Sequence, residues 1–115
     1  MQTASSKAKG RKLQQWVRDK ILSKFRTLSS DDVRSTSMGA SGEDVQLSPA
    51  ARQLFPFSIE CKARKALAVY AFYDQAKANA DGAEPLLIVK ANQKKPLVIL
   101  DAEYFFNNWP NPETF

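Results

Sequence analysis

Phe57-Ser58-Ile59-Glu60-Cys61-Lys62 is the stretch on which the reading of this chain turns. Taken as a strand, it places alternate residues on a common face. Phe57, Ile59 and Cys61 then turn to a core, while Ser58, Glu60 and Lys62 turn together to the other side. A carboxylate and an ammonium held side by side on a rigid strand, next to buried apolar residues, suit a metal-dependent hydrolytic site. In such a site the carboxylate holds a divalent cation and the lysine positions or polarises the attacking water. The rival reading is a surface cross-pair, which contributes at most about 1 kcal/mol. Charged residues make up 25% of the chain, so a Glu-x-Lys triplet arises readily by chance and its surroundings must decide.

Working outward, Phe55-Pro56 feeds this strand, and Ser48-Pro49-Ala50-Ala51-Arg52 before it carries an N-cap residue with proline at the first helical position. One helical turn is expected there. Val45 and Leu47 alternate as a short strand, and the Gly39-Ala40-Ser41-Gly42 turn separates it from a strand over Asp32 to Met38. Further back, Leu13, Trp16, Val17, Ile21, Phe25 and Leu28 recur at three- and four-residue steps, predicting an amphipathic helix from Lys7 to Leu28. Residues 1–6 are small and polar and are expected to be disordered. The remainder, 7–115, reads as a single domain.

On the other side of Lys62, the alanine-rich segment from Ala63 to Ala80 predicts a long helix, stopped by Asp81-Gly82. Leu86-Leu87-Ile88-Val89 is a continuous apolar run, suited to a central strand covered on both faces. Pro96 to Leu100 predicts another strand, and Asp101 can cap a last helical turn from Ala102 to Phe106. The expected order is helix, three-stranded meander, crossover helix and two further strands, an α/β fold with a mixed sheet.

Composition excludes more than it specifies. The 115 residues include no histidine and one cysteine. Serine–histidine and cysteine–histidine triads, histidine-containing nuclease motifs and structural zinc are thereby excluded. A metal must be a hard cation on oxygen ligands, with magnesium favoured and manganese able to substitute. Hydrophobic content of 43% suits a globular domain. No apolar run approaches the roughly 20 residues of a membrane span. Without a hydrophobic signal core, and with a lone cysteine, the expectation is a reducing cytoplasm. The net charge of +5 and pI near 9.5 favour a polyanionic partner. Lys7, Lys9, Arg11, Lys12, Arg18, Lys20, Lys24 and Arg26 stand against a lone Asp19, which suggests a phosphate-binding helix more than a solubilising tail.

The acidic residues then acquire a pattern. Asp44 opens the strand before Glu60, and antiparallel pairing of the two strands brings both carboxylates to one cation. The backbone carbonyl of Cys61 supplies a further ligand and water completes the octahedron. Lys62 orients or deprotonates the nucleophile, as a general base or an electrostatic clamp. The Cys61 thiol is read as a core group, and Trp16 as a core anchor more than a stacking platform. Arg34 and Ser37 are candidate phosphate contacts or ordinary strand surface. Lys90, Lys94 and Lys95 either extend a DNA-binding surface or decorate a hairpin.

In this order of elements the chain resembles the PD-(D/E)xK nuclease superfamily, whose restriction-endonuclease-like core has the same helix, meander, crossover helix and further strands. Ser41-Gly42-Glu43-Asp44-Val45 resembles its Gly-x-Asp-hydrophobic segment, and Ser58-Ile59-Glu60-Cys61-Lys62 its Glu-x-Lys strand. Lys9-Gly10-Arg11-Lys12 is similar to the opening helix of small Holliday junction resolvases and phage-encoded endonucleases. The resemblance implies a magnesium-dependent DNA endonuclease acting through Asp44, Glu60 and Lys62, with Gln75 of the crossover helix facing the site. Branched or duplex DNA is the expected partner, with Lys7, Lys9, Arg11 and Lys12 of the basic helix, and Arg34 and Ser37 where they are not ordinary strand surface, as its candidate contacts. A homodimer is expected, with Tyr104-Phe105-Phe106 and Trp109 as its interface. Two departures stand out: Gln14 and Gln15 occupy the place of a first-helix glutamate, and Glu43 replaces the signature proline. A homing, nicking or restriction-type endonuclease is the nearest alternative, and a non-catalytic DNA-binding protein the alternative of another class.

Overall fold

The computed structural model describes residues 4–36 and 42–109. Helix α1 (Ala4–Lys24) is followed by strands β1 (Val33–Ser35) and β2 (Val45–Leu47), helix α2 (Pro49–Leu54) and strand β3 (Phe57–Ala63). Helix α3 (Val69–Asn79), strands β4 (Glu84–Lys90) and β5 (Leu97–Ile99) and helix α4 (Ala102–Asn108) complete the chain. The five strands form one mixed sheet in the order β1-β2-β3-β4-β5. Every neighbouring pair is antiparallel except β3 and β4, which run parallel. A parallel pair requires a crossover, and α3 is that crossover. No helix among the described residues is long and apolar enough to cross a membrane.

The sheet is covered on both faces. Leu13, Val17 and Ile21, four residues apart, form the buried stripe of α1. They join Val33, Val45, Ile59, Cys61, Ala63, Leu86 and Ile88 in one core. Each large apolar side chain buried this way contributes about 1.5–3 kcal/mol. The opposite face carries the alternate residues Leu87 and Val89, buried on the α3 side where Ala76 is also buried. The uninterrupted apolar run of β4 follows from this double coverage.

Three boundaries differ from the sequence expectation. Helix α1 begins at Ala4 and stops at Lys24, four residues short of Leu28, because Leu28 N bonds back to Phe25 O in a turn. It therefore takes in residues 4–6, expected to be disordered. Residues 63–68 do not start α3. Ala63 pairs with Lys90 and Arg64 N donates to Lys90 O at 3.1 Å, so the ladder holds these two residues, and a bend at Lys65 and Ala66 follows before the helix. Asp32 lies before β1 rather than in it. Its carboxylate accepts Ser29 N (2.8 Å) and Ser48 Oγ (2.7 Å). These bonds hold its pKa below the ordinary aspartate value. Ser48 in turn caps α2 by accepting Ala51 N at 3.1 Å.

Candidate metal centre

Strand β2 meets β3 at a single register pair, Val45 with Ile59, and then the seam opens. Gly42, at φ +88°, turns the chain immediately before it; a side chain there would be strained. Asp44 sits in the opening and is fixed from several directions. Its amide donates to Ile59 O at 2.8 Å, and its carbonyl accepts Thr36 N at 2.9 Å and Thr36 Oγ1 at 3.0 Å. Its carboxylate accepts the Cys61 amide at 2.8 Å. The side chain thus takes the β3 donor for which β2 provides no further register pair.

Glu60 lies on the same side of the sheet. Alternation sends Ser58, Glu60 and Lys62 to the α3 face, and Glu60 is only 3% exposed. Asn79, in the last turn of α3, donates from Nδ2 to Glu60 Oε1 at 3.0 Å. Burial is the main cause raising the Glu60 pKa from 4.5 to about 7. A hydrogen bond to the Asp44 carboxylate and that group's charge add to it, against the opposing effects of Asn79 and Lys62. Two carboxyl groups close enough to share a proton are the two that the sequence paired. Among the described residues no cluster of three or more His, Cys, Asp and Glu side chains forms a metal-binding group.

Lys62 is half-buried, with Nζ 5.4 Å from the centroid of the Phe72 ring. It forms no ion pair among the described residues, yet its charge acts on Glu60. The Cys61 thiol lies in the core facing α1, and burial pushes its pKa well above the ordinary thiol value. Ile59 O accepts from β2 and Arg64 N donates to β4. Backbone polar groups alternate along a strand, so the Cys61 carbonyl points toward the open seam.

Other candidates are more dispersed. Gln75 is exposed on α3 with no bond to the site; the amide that reaches Glu60 is Asn79, one helical turn on. Its only trace in the sequence is the spacing of four from Gln75. Gln14 is buried on the α1 face, where its Oε1 accepts Ser35 Oγ at 2.9 Å, and Gln15 is exposed. Ser35 pairs with Val45, so its side chain shares Val45's face and not that of Asp44 and Glu60. Glu43 is held at 2.7 Å by Arg52. Lys7, Lys9, Arg11 and Lys12 are all exposed along α1. Arg34 is exposed beside Asp31 at 3.5 Å, and Ser37 lies outside the described residues. Trp16, expected in the core, is 43% exposed and lines a cleft.

The donor set fits a hard divalent cation. Two carboxylates that resist ionising together gain most from a positive charge between them, and an adjacent carbonyl adds a neutral oxygen. Searches against protein-family models, curated proteins and solved structures found no match to this chain.

Proposed function

We propose that this chain is a magnesium-dependent DNA endonuclease with a PD-(D/E)xK-type core and site. The observation that carries the reading is the convergence of Asp44 and Glu60 at an opened strand seam, with Lys62 two residues further along the same face. Asp44, Glu60 and the Cys61 carbonyl would hold the metal. Bound there, a divalent cation supplies stabilisation of charge on the scissile phosphate and a bound water of lowered pKa. Asn79 orients Glu60 through its 3.0 Å bond. Lys62, as an ammonium, would hold the attacking water and stabilise charge on the phosphate, and the half-buried setting strengthens that electrostatic effect. The exposed cations of α1 give a backbone-reading surface with little sequence preference.

Branched DNA is the favoured substrate, because the exposed cations of α1 recognise backbone shape better than bases. Symmetric cutting of two strands calls for two sites, hence a twofold homodimer. Exposed Leu97 and Val98 on edge strand β5, with Phe106 and Trp109 beyond it, offer an apolar surface for that pairing.

One observation favours a second reading. Gln14 provides no charge and is engaged by Ser35, so the site has two carboxylates where a third would strengthen metal binding. A DNA-binding protein without catalysis would keep the basic helix and lose turnover. Incubation with a labelled four-way junction, a linear duplex and a single strand, with magnesium or manganese and without either, separates the readings. Metal-dependent cleavage is expected, with paired symmetric nicks at the junction. Binding to every substrate with cleavage of none would overturn the enzyme.

A further inference from the structure

A cleft of about 520 Å³ lies between α1 and the turn joining β4 to β5, within the roughly 300–1,000 Å³ typical of ligand pockets. Its apolar wall is Leu13, Trp16, Ala63 and Pro96, and its cations are Lys9, Lys12 and Lys90. Among the described residues no carboxylate lines it, and none of the three lysines is in an ion pair. Lys9 Nζ donates to Asn92 Oδ1 at 3.0 Å, tying the helix to the turn and setting the cleft's width. Lys20 Nζ stands 5.4 Å from the Trp16 ring centroid, a cation–π contact that steadies the indole.

We propose that this cleft is a subsite for one unpaired nucleotide of a DNA strand, its base stacked on Trp16 and its flanking phosphates met by Lys9, Lys12 and Lys90. A flat, partly exposed indole suits a nucleobase, and a rim of unneutralised ammonium groups suits the phosphates on either side. Position supports the same occupant. Ala63 directly follows Lys62, and consecutive strand residues face opposite sides. The cleft therefore sits around the end of β3 from the metal centre, one residue away. A strand whose scissile phosphate lies at Lys62 reaches the cleft by turning around that end. The choice of DNA as occupant rests on the nuclease reading, whereas a charged, aromatic-walled cleft that takes a nucleotide does not.

The test uses the full chain carrying Trp109→Phe, so that Trp16 is the sole indole, and Glu60→Gln, with chelator present. An eight-residue oligothymidine is compared with an abasic oligonucleotide of equal length and charge. Oligothymidine is expected to quench Trp16 fluorescence saturably, and the abasic strand to bind without quenching. In the Glu60→Gln chain with Trp109 retained, Trp16→Ala should weaken oligothymidine binding roughly 5- to 100-fold. Abasic binding should stay within about twofold, and Trp16→Phe should retain most of the affinity. Equal quenching by both strands, or none by either, would overturn the subsite, and so would an equal loss of both ligands in Trp16→Ala. The quenching measurement requires no folded Trp16→Ala protein, and a melting curve reports whether that variant is intact. None of these measurements requires metal or cleavage. A chain that never cuts DNA can still pass them, and one that cuts without quenching overturns the subsite alone.

Discussion

The Asp44 carboxylate accepts the Cys61 amide at 2.8 Å, taking by side chain the place that a continuing β2 backbone would fill. That bond fixes the carboxylate beside Glu60 before any ligand arrives; burial, with the closeness of the pair adding to it, raises the Glu60 pKa to about 7. Preorganised repulsion of this kind is relieved by a cation. Magnesium, manganese or calcium at pH 8 should therefore raise the melting temperature of the wild-type protein. Asp44→Asn and Glu60→Gln should lose most of that rise. Isothermal titration of the same proteins checks the stoichiometry, and an equal rise in all three would place the metal elsewhere.

The same pair sets a pH dependence without metal. Glu60 goes from about 4.5 unfolded to about 7 folded, so the native state holds the extra proton between those values. Stability then falls as pH rises through that window. The full shift corresponds to a few kcal/mol, on the order of 3 at most. Glu84, raised by burial and by Asp101, acts with the same sign, so the variant must isolate the Glu60 share. Glu60→Gln should flatten the profile and, above pH 7 in chelator, exceed the wild type in stability. Denaturant melts from pH 4.5 to 8.5 measure this. A wild-type curve that rises across the window, or a variant with an unchanged slope, would contradict the assignment.

The course of β3 was legible because two periodicities agreed there: apolar residues at 57, 59 and 61, and polar ones at 58, 60 and 62. The Asp44–Glu60 pairing was legible for a related reason, since antiparallel register brings the start of one strand to the middle of the next. Asn79 was not. Which amide of α3 reaches Glu60 depends on where the helix begins, and the ladder bond from Arg64 to Lys90 delays that start to Val69. The shift favours Asn79 over Gln75. Trp16 was misplaced because an apolar period of three and four marks a broad face. Only the packing shows that Leu13, Val17 and Ile21 fill the core stripe and leave the indole at its edge.

Under the proposed function, a substitution at Lys62 tests chemistry apart from binding. Its ammonium is near enough to act on Glu60 but makes no ion pair among the described residues, so its removal leaves none of their buried carboxylates stripped of a bonded partner. Lys62→Ala should reduce metal-dependent cleavage by about 10²- to 10⁴-fold. Junction affinity in calcium should change by no more than about twofold, one phosphate contact among many. Parallel cleavage and binding titrations decide it. A loss of affinity matching the loss of rate would make the lysine a phosphate anchor.

Strand β5 closes one edge of the sheet with Leu97 and Val98 both about 60% exposed, and Phe106 of α4 is 75% exposed. An apolar sheet edge with open backbone groups invites pairing, and proteins that stay monomeric blunt such edges with charge. Here the charge is absent from the strand itself, so the edge is expected to pair with its twofold copy. Light scattering coupled to size exclusion should find a dimer at micromolar concentration. Val98→Lys and Phe106→Glu should each shift it to monomer while leaving the far-ultraviolet circular dichroism unchanged. The monomeric variants should still nick a junction, but the two nicks should become independent events, resolved on a supercoiled cruciform plasmid as open circles preceding linear product. A wild-type chain that remains monomeric at 100-fold higher concentration would remove the dimer, and with it the case for coordinated cutting.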